Sequence, residues 1–320
     1  MKKASISVVI PTYNEESTIA TVLEKLTSQT LLPNEILISD SHSSDNTRSI
    51  IRNYKTDHVS IILLDRIGKC RGSGRNEGID KASNEIIALV DSGIYPEKDW
   101  LEQLYSSYSG DKDKVIFGAV KPLINSKITR SLGSFIVGKV NGESIIPSVG
   151  SMLFHKEVWN DVGKFKESSK GKYVVEDLDF IAKIKQKGYK IIFNFKACSN
   201  WEISKSYQEI YKRFSNYSQG TFENGLFMTW HLGTIRNSII YISFLFLSFT
   251  LNLNFLILFF LFHSLRTFSY LIRTKWYKKG SVIEKTVDFF NLSLILVIID
   301  FSTYKGIFDS FLRSTKGYKD

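Results

Sequence analysis

The chain has 320 residues and carries 42 Lys and Arg against 32 Asp and Glu, a formal net charge of +10. That length holds one large domain or a medium one with an appendage, and the basic excess suits nucleic acid, anionic lipid or plain solubility. No zinc-ligand cluster, helix-turn-helix signature or Arg-rich stripe is present, so nucleic acid is excluded as the expected partner; two widely separated cysteines, Cys70 and Cys198, exclude a metal motif and fit a reducing compartment.

Ile6-Ser7-Val8-Val9-Ile10 reads as a first strand, apolar almost throughout, as a strand covered on both faces is. The run stops at Pro11 and turns polar at Asn14-Glu15-Glu16, too soon for a signal peptide, so the chain is expected to begin on the cytoplasmic side. Ile19, Val22, Leu23 and Leu26 recur at helical spacing and predict a helix that ends before Pro33. Further strands are predicted at Glu35 to Ser39, Val59 to Leu64 and Ile86 to Val90, the first running into Asp40 and the last closing on Asp91-Ser92-Gly93. Strands alternating with helices at this spacing give an α/β fold with a parallel sheet and right-handed crossovers. Ligands of such sheets collect where strands end, which is where Asp40 stands. Read alone, Asp40 to Thr47 is equally an Asx turn and a helix cap.

The glycine-rich segment Gly68 to Gly78 neither follows a strand end nor contains Gly-Lys-Ser/Thr, so it is neither a dinucleotide fingerprint nor a P-loop. A small-residue helix packed on the sheet, bringing Lys69, Arg71 and Arg75 near a phosphate, explains it better. A helix from Glu176 to Lys187 is predicted to bury Leu178, Ile181 and Ile184; a short strand, Lys190 to Phe193, and an amphipathic helix from Lys205 follow.

Ser7 to Glu16, then Asp40 with Ser43 and Asp45-Asn46-Thr47, then Gly74 to Ile79, then Asp91, then Glu176-Asp177-Leu178-Asp179 resemble in order and spacing the family 2 glycosyltransferases of GT-A fold. The resemblance implies a Rossmann-like, mixed, mostly parallel sheet flanked by helices over about the first two-thirds of the chain. It also implies inverting transfer of a sugar from a nucleotide diphosphate to an acceptor hydroxyl. It sets Pro11, Thr12, Tyr13 and Glu15 along the nucleoside, with Tyr13 stacking and Asp40 accepting from the base. An aromatic face and an acidic acceptor suit uracil or guanine, a UDP donor ahead of a GDP one. Arg71 and Asp91 face the diphosphate, Asp91 as the ligand of Mg²⁺ or Mn²⁺. Asp177 is the general base, and Gly150, Ser151 and Glu176 belong to the acceptor site, on a strand within Pro147 to Phe154. The chain departs from the family pattern twice. Ser41 replaces the second acid of an Asp-Asp pair, and Gly93 replaces the second acid of Asp-x-Asp, which leaves His231 or the bases Lys69 and Arg71 to make up for the missing carboxylate.

From Ile239 to Ile272 the sequence is dominated by Phe, Leu and Ile, edged by Tyr241, Tyr270, Trp276 and Tyr277. Arg236 precedes it and Arg273, Lys275, Lys278, Lys279 and Lys285 follow, so both flanks belong on the cytoplasmic side. An even number of crossings, or a re-entrant hairpin turning near Asn252 to Asn254, meets that rule. Phe289 to Ile299 is too short to cross and reads as an interfacial helix. The expected organisation is a transferase domain over 1–225 and a membrane-associated helical region over 226–320, with a hairpin at about 237–272 and an interfacial helix at about 286–304. The expected acceptor is a lipid-linked or cell-surface glycan precursor, handled at the cytoplasmic face of the cell membrane. A nucleotidyltransferase and a catalytically degenerate membrane-bound scaffold are the alternatives.

Overall fold

The computed structural model describes residues 2–65, 70–140, 143–145, 148–167, 175–226, 231–275 and 280–315. Lys69, Pro147, Trp276, Tyr277, Lys278 and Lys279, each given a part above, lie outside them. The chain forms two compact units, one of Met1–Leu123 with Gly138–Glu202, the other of Ile124–Val137 with Ile203–Asp320.

The first unit is built on eight strands: β1 Ile6–Thr12, β2 Glu35–Asp40, β3 Ser60–Asp65, β4 Ile86–Val90, β5 Ile94–Pro96, β6 Lys114–Pro122, β7 Ser151–His155 and β8 Lys190–Trp201. Their spatial order is β3-β2-β1-β4-β7-β6-β8-β5, parallel except for β7 and β5. The sheet is therefore mixed and mostly parallel, as expected. Around it lie α1 Ile19–Thr27, α2 Thr47–Asn53, α3 Arg71–Lys81, α4 Trp100–Tyr108, α6 Lys156–Asp161 and α7 Glu176–Gln186, with α5 Lys127–Ile136 in the second unit.

Alternation along the central strands divides the core in two. Val8, Ile10, Ile36, Ile38 and Ala88 face α1 and α4, while Val9, Leu37, Ile87 and Leu89 face Ile79 of α3 and Phe180 and Ile184 of α7. Both faces are covered, which is why β1 and β2 are buried at every position. On α7 the buried face runs through Phe180 and Ile184; Leu178, expected inside, is 46% exposed. β8 also differs from expectation. It continues through Trp201 with a register shift between Asn194 and Cys198; half-buried Asn194 and Asn200 and exposed Lys196 break the apolar run that the prediction followed.

The second unit adds α8 Tyr207–Glu223, α9 Leu232–Thr250, α10 Phe255–Arg273 and α11 Val282–Thr315. Its bounds differ from the 225/226 division because α8 runs beside α11 and because Arg130 on α5 donates to both oxygens of Asp288 on α11 at 2.7 and 2.9 Å. The expected interfacial helix over 286–304 is likewise longer, Val282–Thr315: Asp288 and Asp300, which flank the apolar run Phe289 to Ile299, are paired inside the unit with Arg130 and Arg266. α9 and α10 are each long and apolar enough to cross a membrane, only 11% of each span is buried, and the chain turns between them at residues 251–254, near the expected place.

Gly78 lies where α3 crosses β1, and a Cβ there would run into the Val9 side chain. Gly78→Ala is therefore expected to destabilise the protein by about 1–3 kcal/mol, the usual cost of overpacking a core, as read by denaturant titration.

Candidate active site

The register brings the predicted residues to one rim. Thr12 pairs with Asp40 and Asp40 with Asp65, while Asp91 follows β4 and Ser151 pairs with Val90. Successive strands lie about 4.8 Å apart, so Asp40 and Asp91, on either side of β1, stand roughly 10 Å apart. The Ser92 hydroxyl donates to the Pro11 carbonyl at 3.3 Å and ties the ends of β4 and β1 together.

The loops after β1 and β2 are bonded to each other. The Asn14 amide donates to Ser43 Oγ (2.8 Å), the Ser44 amide to Asn14 Oδ1 (2.8 Å), the Glu15 amide to Thr47 Oγ1 (2.7 Å) and the Asn46 amide to Glu16 Oε2 (3.0 Å). Asn14 and His42 both hold left-handed backbone, φ 53°, a conformation that Asn adopts more readily than most residues. This interlock leaves the Tyr13 ring 59% exposed, while Pro11 and Thr12 are buried and Thr12 Oγ1 has no hydrogen-bond partner. Glu15 accepts from Thr18 Oγ1 at 2.6 Å. The spacing of polar residues in the two loops signals turns, but not that the turns bond each other.

Asp40 is fully buried. Its Oδ2 accepts from the Ser43 amide at 2.9 Å and from Arg48 Nη1 at 3.3 Å, and its Oδ1 accepts from Ser43 Oγ at 2.5 Å. The Asx-turn reading is thus realised, and Ser43 and Arg48 take three of the carboxylate's acceptor positions. Ser151 is also buried, its hydroxyl accepting from Trp100 Nε1 at 2.8 Å. It packs in the core against the Trp100 indole. Gly150 does hold a place at the rim. A Cβ on it would come 2.9 Å from the Asp91 carboxylate and 2.7 Å from Ile94.

The centre of the site is Arg75, 1% exposed. Its Nη2 donates to Asp91 Oδ1 at 2.7 Å and Oδ2 at 3.0 Å, and its Nη1 donates to Glu176 Oε1 at 3.0 Å. Sequence reasoning aimed this arginine at a phosphate; instead it joins the end of β4 to the start of α7. Arg71, on the first turn of α3 with its side chain 47% exposed, brings Nε to 3.5 Å from the same Glu176 oxygen. Burial pushes the Glu176 carboxyl above its ordinary value, against the pull of Arg71 and Arg75, and Glu176 Oε2 has no hydrogen-bond partner. Asp177, next along α7, is half-buried and accepts from the Leu178 amide at 2.9 Å. Gly72 permits this meeting, because a Cβ there would strike the Lys166 carbonyl.

Two histidines have structural places. His155 is buried and its Nδ1 accepts from the Glu157 amide at 3.2 Å, and buried His231 lies 2.9 Å from Ser218 Oγ in the second unit. No group of three His, Cys, Asp or Glu side chains able to hold a metal occurs among the described residues. Asp91, 18% exposed with lone pairs beyond those Arg75 uses, fits a cation that takes one or two protein carboxylates and completes its shell from a substrate's phosphates.

The model of the family described as Glycosyl transferase family 2 matches residues 7–156, and that of Glycosyl transferase family group 2 matches residues 118–299, more than half of the chain. The chain belongs to glycosyl transferase family 2. It is 36% identical over 122 residues to glycosyltransferase AglE of Haloferax volcanii, spanning 36% of this chain and 39% of that protein. It is 26% identical over 234 residues to the dolichyl N-acetyl-alpha-D-glucosaminyl phosphate 3-beta-D-2,3-diacetamido-2,3-dideoxy-beta-D-glucuronosyltransferase of Methanococcus voltae, covering 66% of this chain and 71% of that one. Among solved structures, S. aureus TarS superposes with a TM-score of 0.48 and 19% identity, over 67% of this chain and 39% of that chain.

Removing the buried guanidinium leaves Asp91 without its ion-pair partner and Glu176 with only the half-exposed Arg71. Arg75→Met is expected to cost roughly 3–5 kcal/mol, as loss of one partner of a buried pair does, and Glu176→Gln in that background should recover part of it in denaturant titration. Because burial raises the Glu176 group, there is a pH window just above the ordinary value of 4.5 in which the folded protein binds this proton more fully than the unfolded chain does. Its contribution to stability is therefore complete below the ordinary carboxyl value of 4.5 and falls as pH rises above it. Glu176→Gln should flatten that fall in melts across the acid range.

Proposed function

We propose that this family member is an inverting transferase. It moves a sugar from a nucleotide-diphospho donor, a uridine donor ahead of a guanosine one, to a hydroxyl of a lipid-linked or cell-surface glycan precursor. The observation that carries the reading is the Arg75 bridge, which fixes the carboxylate at the donor end of β4 beside the first turn of α7, where Asp177 stands. Inverting transfer has three requirements: a donor held in place, a diphosphate neutralised as it leaves, and an acceptor oxygen that loses its proton as it attacks.

The exposed Tyr13 ring, braced by the interlocked loops, serves as the stacking surface for the base. Arg71 lies at the mouth and offers its guanidinium to the diphosphate, for which its planar donor fork is suited. A divalent cation, when bound, neutralises charge on the diphosphate; Asp91 is the residue that would hold it. Asp177 accepts the proton of the acceptor hydroxyl, and the oxygen attacks the anomeric carbon from the face opposite the departing diphosphate, which inverts the configuration. Glu176 keeps Arg75 and Arg71 in place behind that step.

Membrane attachment of the helical unit completes the reading. α9 and α10 carry the apolar spans, Arg236, Arg273, Lys275 and Lys285 on their flanks favour the cytoplasmic face, and the Methanococcus relative has a name that specifies a dolichyl-linked substrate.

Asp177→Asn should retain nucleotide binding by calorimetry and lower transfer by about 10²–10⁴-fold, the usual contribution of a general base; undiminished transfer would put the base elsewhere. Turnover of a panel of nucleotide sugars should be highest with a uridine donor, increase with Mn²⁺ and fall with chelator. An absence of both turnover and nucleotide binding under every condition would leave only the scaffold reading.

A further inference from the structure

The second unit also bears on how deeply the hairpin of α9 and α10 enters the lipid, a question that rests on the membrane attachment proposed above. α8 lies alongside α11 over most of its length. Tyr207 Oη donates to Asn291 Oδ1 at 2.8 Å, Ser218 Oγ donates to the Thr303 carbonyl at 2.6 Å, and Ser310 Oγ reaches the Gln219 carbonyl at 3.4 Å. At Gly306 the two backbones approach so closely that a Cβ would come 2.7 Å from the Gln219 amide nitrogen. The outer face of α8 exposes Gln208, Glu209, Lys212 and Asn216. A helix with that companion cannot sit in hydrocarbon, where an unpaired charge is strongly disfavoured. Away from α8, α11 exposes Phe290, Leu294, Val297, Phe301, Phe308 and Phe311, a helical stripe suited to lying in the plane of a membrane surface.

The hairpin differs in character. No Asp, Glu, Lys or Arg occurs between Arg236 and Arg266, and Ile242, Phe246 and Phe249 of α9 and Ile257, Phe260 and Leu261 of α10 are exposed. Helices without a charged face are built to be immersed in lipid and not to lie on it. Halfway along, however, the hairpin is fastened to α11. Tyr241 Oη and His263 Nδ1 are 2.8 Å apart, His263 Nε2 and Ser293 Oγ 2.7 Å, and Arg266 donates to both oxygens of Asp300 at 2.5 and 2.9 Å. This polar set fixes the middle of the hairpin at the depth of α11. A full crossing would carry Ser293, Asp300 and the charged side of α8 to the bilayer midplane.

We propose that the hairpin enters a single leaflet tip-first and does not cross, with Tyr241, His263 and Arg266 marking the headgroup level. The length beyond that level agrees: the nine helical steps from Tyr241 to Thr250 rise about 14 Å at 1.5 Å per residue, close to half of a hydrocarbon core of roughly 30 Å. The turn is prepared for burial. The Leu251 and Asn252 amides both donate to the Leu247 carbonyl, the Asn254 amide to Asn252 Oδ1 and the Phe255 amide to the Asn252 carbonyl.

The test uses the full chain, with Cys70→Ser and Cys198→Ser, in phosphatidylethanolamine–phosphatidylglycerol vesicles. Leu253→Cys at the turn and Asn216→Cys on α8 are probed with a membrane-impermeant maleimide added outside or trapped inside. Single-leaflet insertion predicts that Leu253→Cys reacts from neither side, at least about tenfold more slowly than Asn216→Cys because water is excluded there, and reacts fully once detergent is added. Phe249→Cys supplies the same readout should Leu253→Cys fail to fold. Reaction at the turn from the side opposite Asn216→Cys would show a crossing and overturn the proposal. Reaction from the same side would show a hairpin lying on the surface and overturn it equally. Protein that fails to sediment with vesicles would overturn membrane attachment itself.

Discussion

A buried guanidinium cannot stand alone. Arg75 is 1% exposed and makes three bonds to carboxylate oxygens from segments 16 and 101 residues further along the chain. Taking such a charge out of water is costly unless it is paired and hydrogen-bonded, so a fold that buries Arg75 must also bring the end of β4 and the start of α7 together. Because arginine stays protonated throughout the accessible pH range, that requirement does not relax as conditions change. The meeting of Asp91 and Glu176 is in this sense an electrostatic obligation of the core.

α3 is the element that meets it. Three successive residues of this helix reach three parts of the first unit: Arg75 to Asp91 and Glu176, Asn76 to Trp159 and Phe165, and Glu77 to Ser39 of β2. The Asn76 amide is saturated, its Oδ1 accepting from Trp159 Nε1 and the Phe165 amide, both at 2.9 Å, and its Nδ2 donating to the Phe165 carbonyl at 2.8 Å. Such reach needs an approach closer than side chains normally allow, which is the physical use of Gly72 and Gly78. From Arg71 onward the glycine-rich stretch is a helix thinned on the sides that touch the sheet and the Lys166 backbone.

The features carried by periodicity were legible in the sequence. β1, β2 and β4 came from unbroken apolar runs and α1 from its helical spacing, because burial on two faces or one stripe leaves a local signature. The positions of Asp91 and Asp177 followed from strand ends and a helix start. Pairings between distant residues left no such trace. Nothing in the neighbourhood of Arg75 distinguishes an arginine that meets phosphate from one that meets two internal carboxylates, and nothing near Asp40 shows that Arg48 and Ser43 occupy it. The acids at 288 and 300, on either side of the run Phe289 to Ile299, are another such case. Read locally they are helix boundaries, whereas partners more than thirty residues away make them interior.

The reversed direction of β7 has its own outcome. Lying antiparallel between β4 and β6, it brings its beginning to the edge where β1, β2 and β4 bring their ends. Gly150, just before its first residue, therefore arrives at Asp91 from the opposite sense of the chain. The loops after β1, β2 and β4 and the residues ahead of β7 thus hang from strands running in contrary directions, so a change of length ahead of β7 alters one side of the rim without shifting any pairing on the other. A scaffold arranged this way can vary the segment that enters β7 while the paired ends of β1, β2 and β4 stay unaltered.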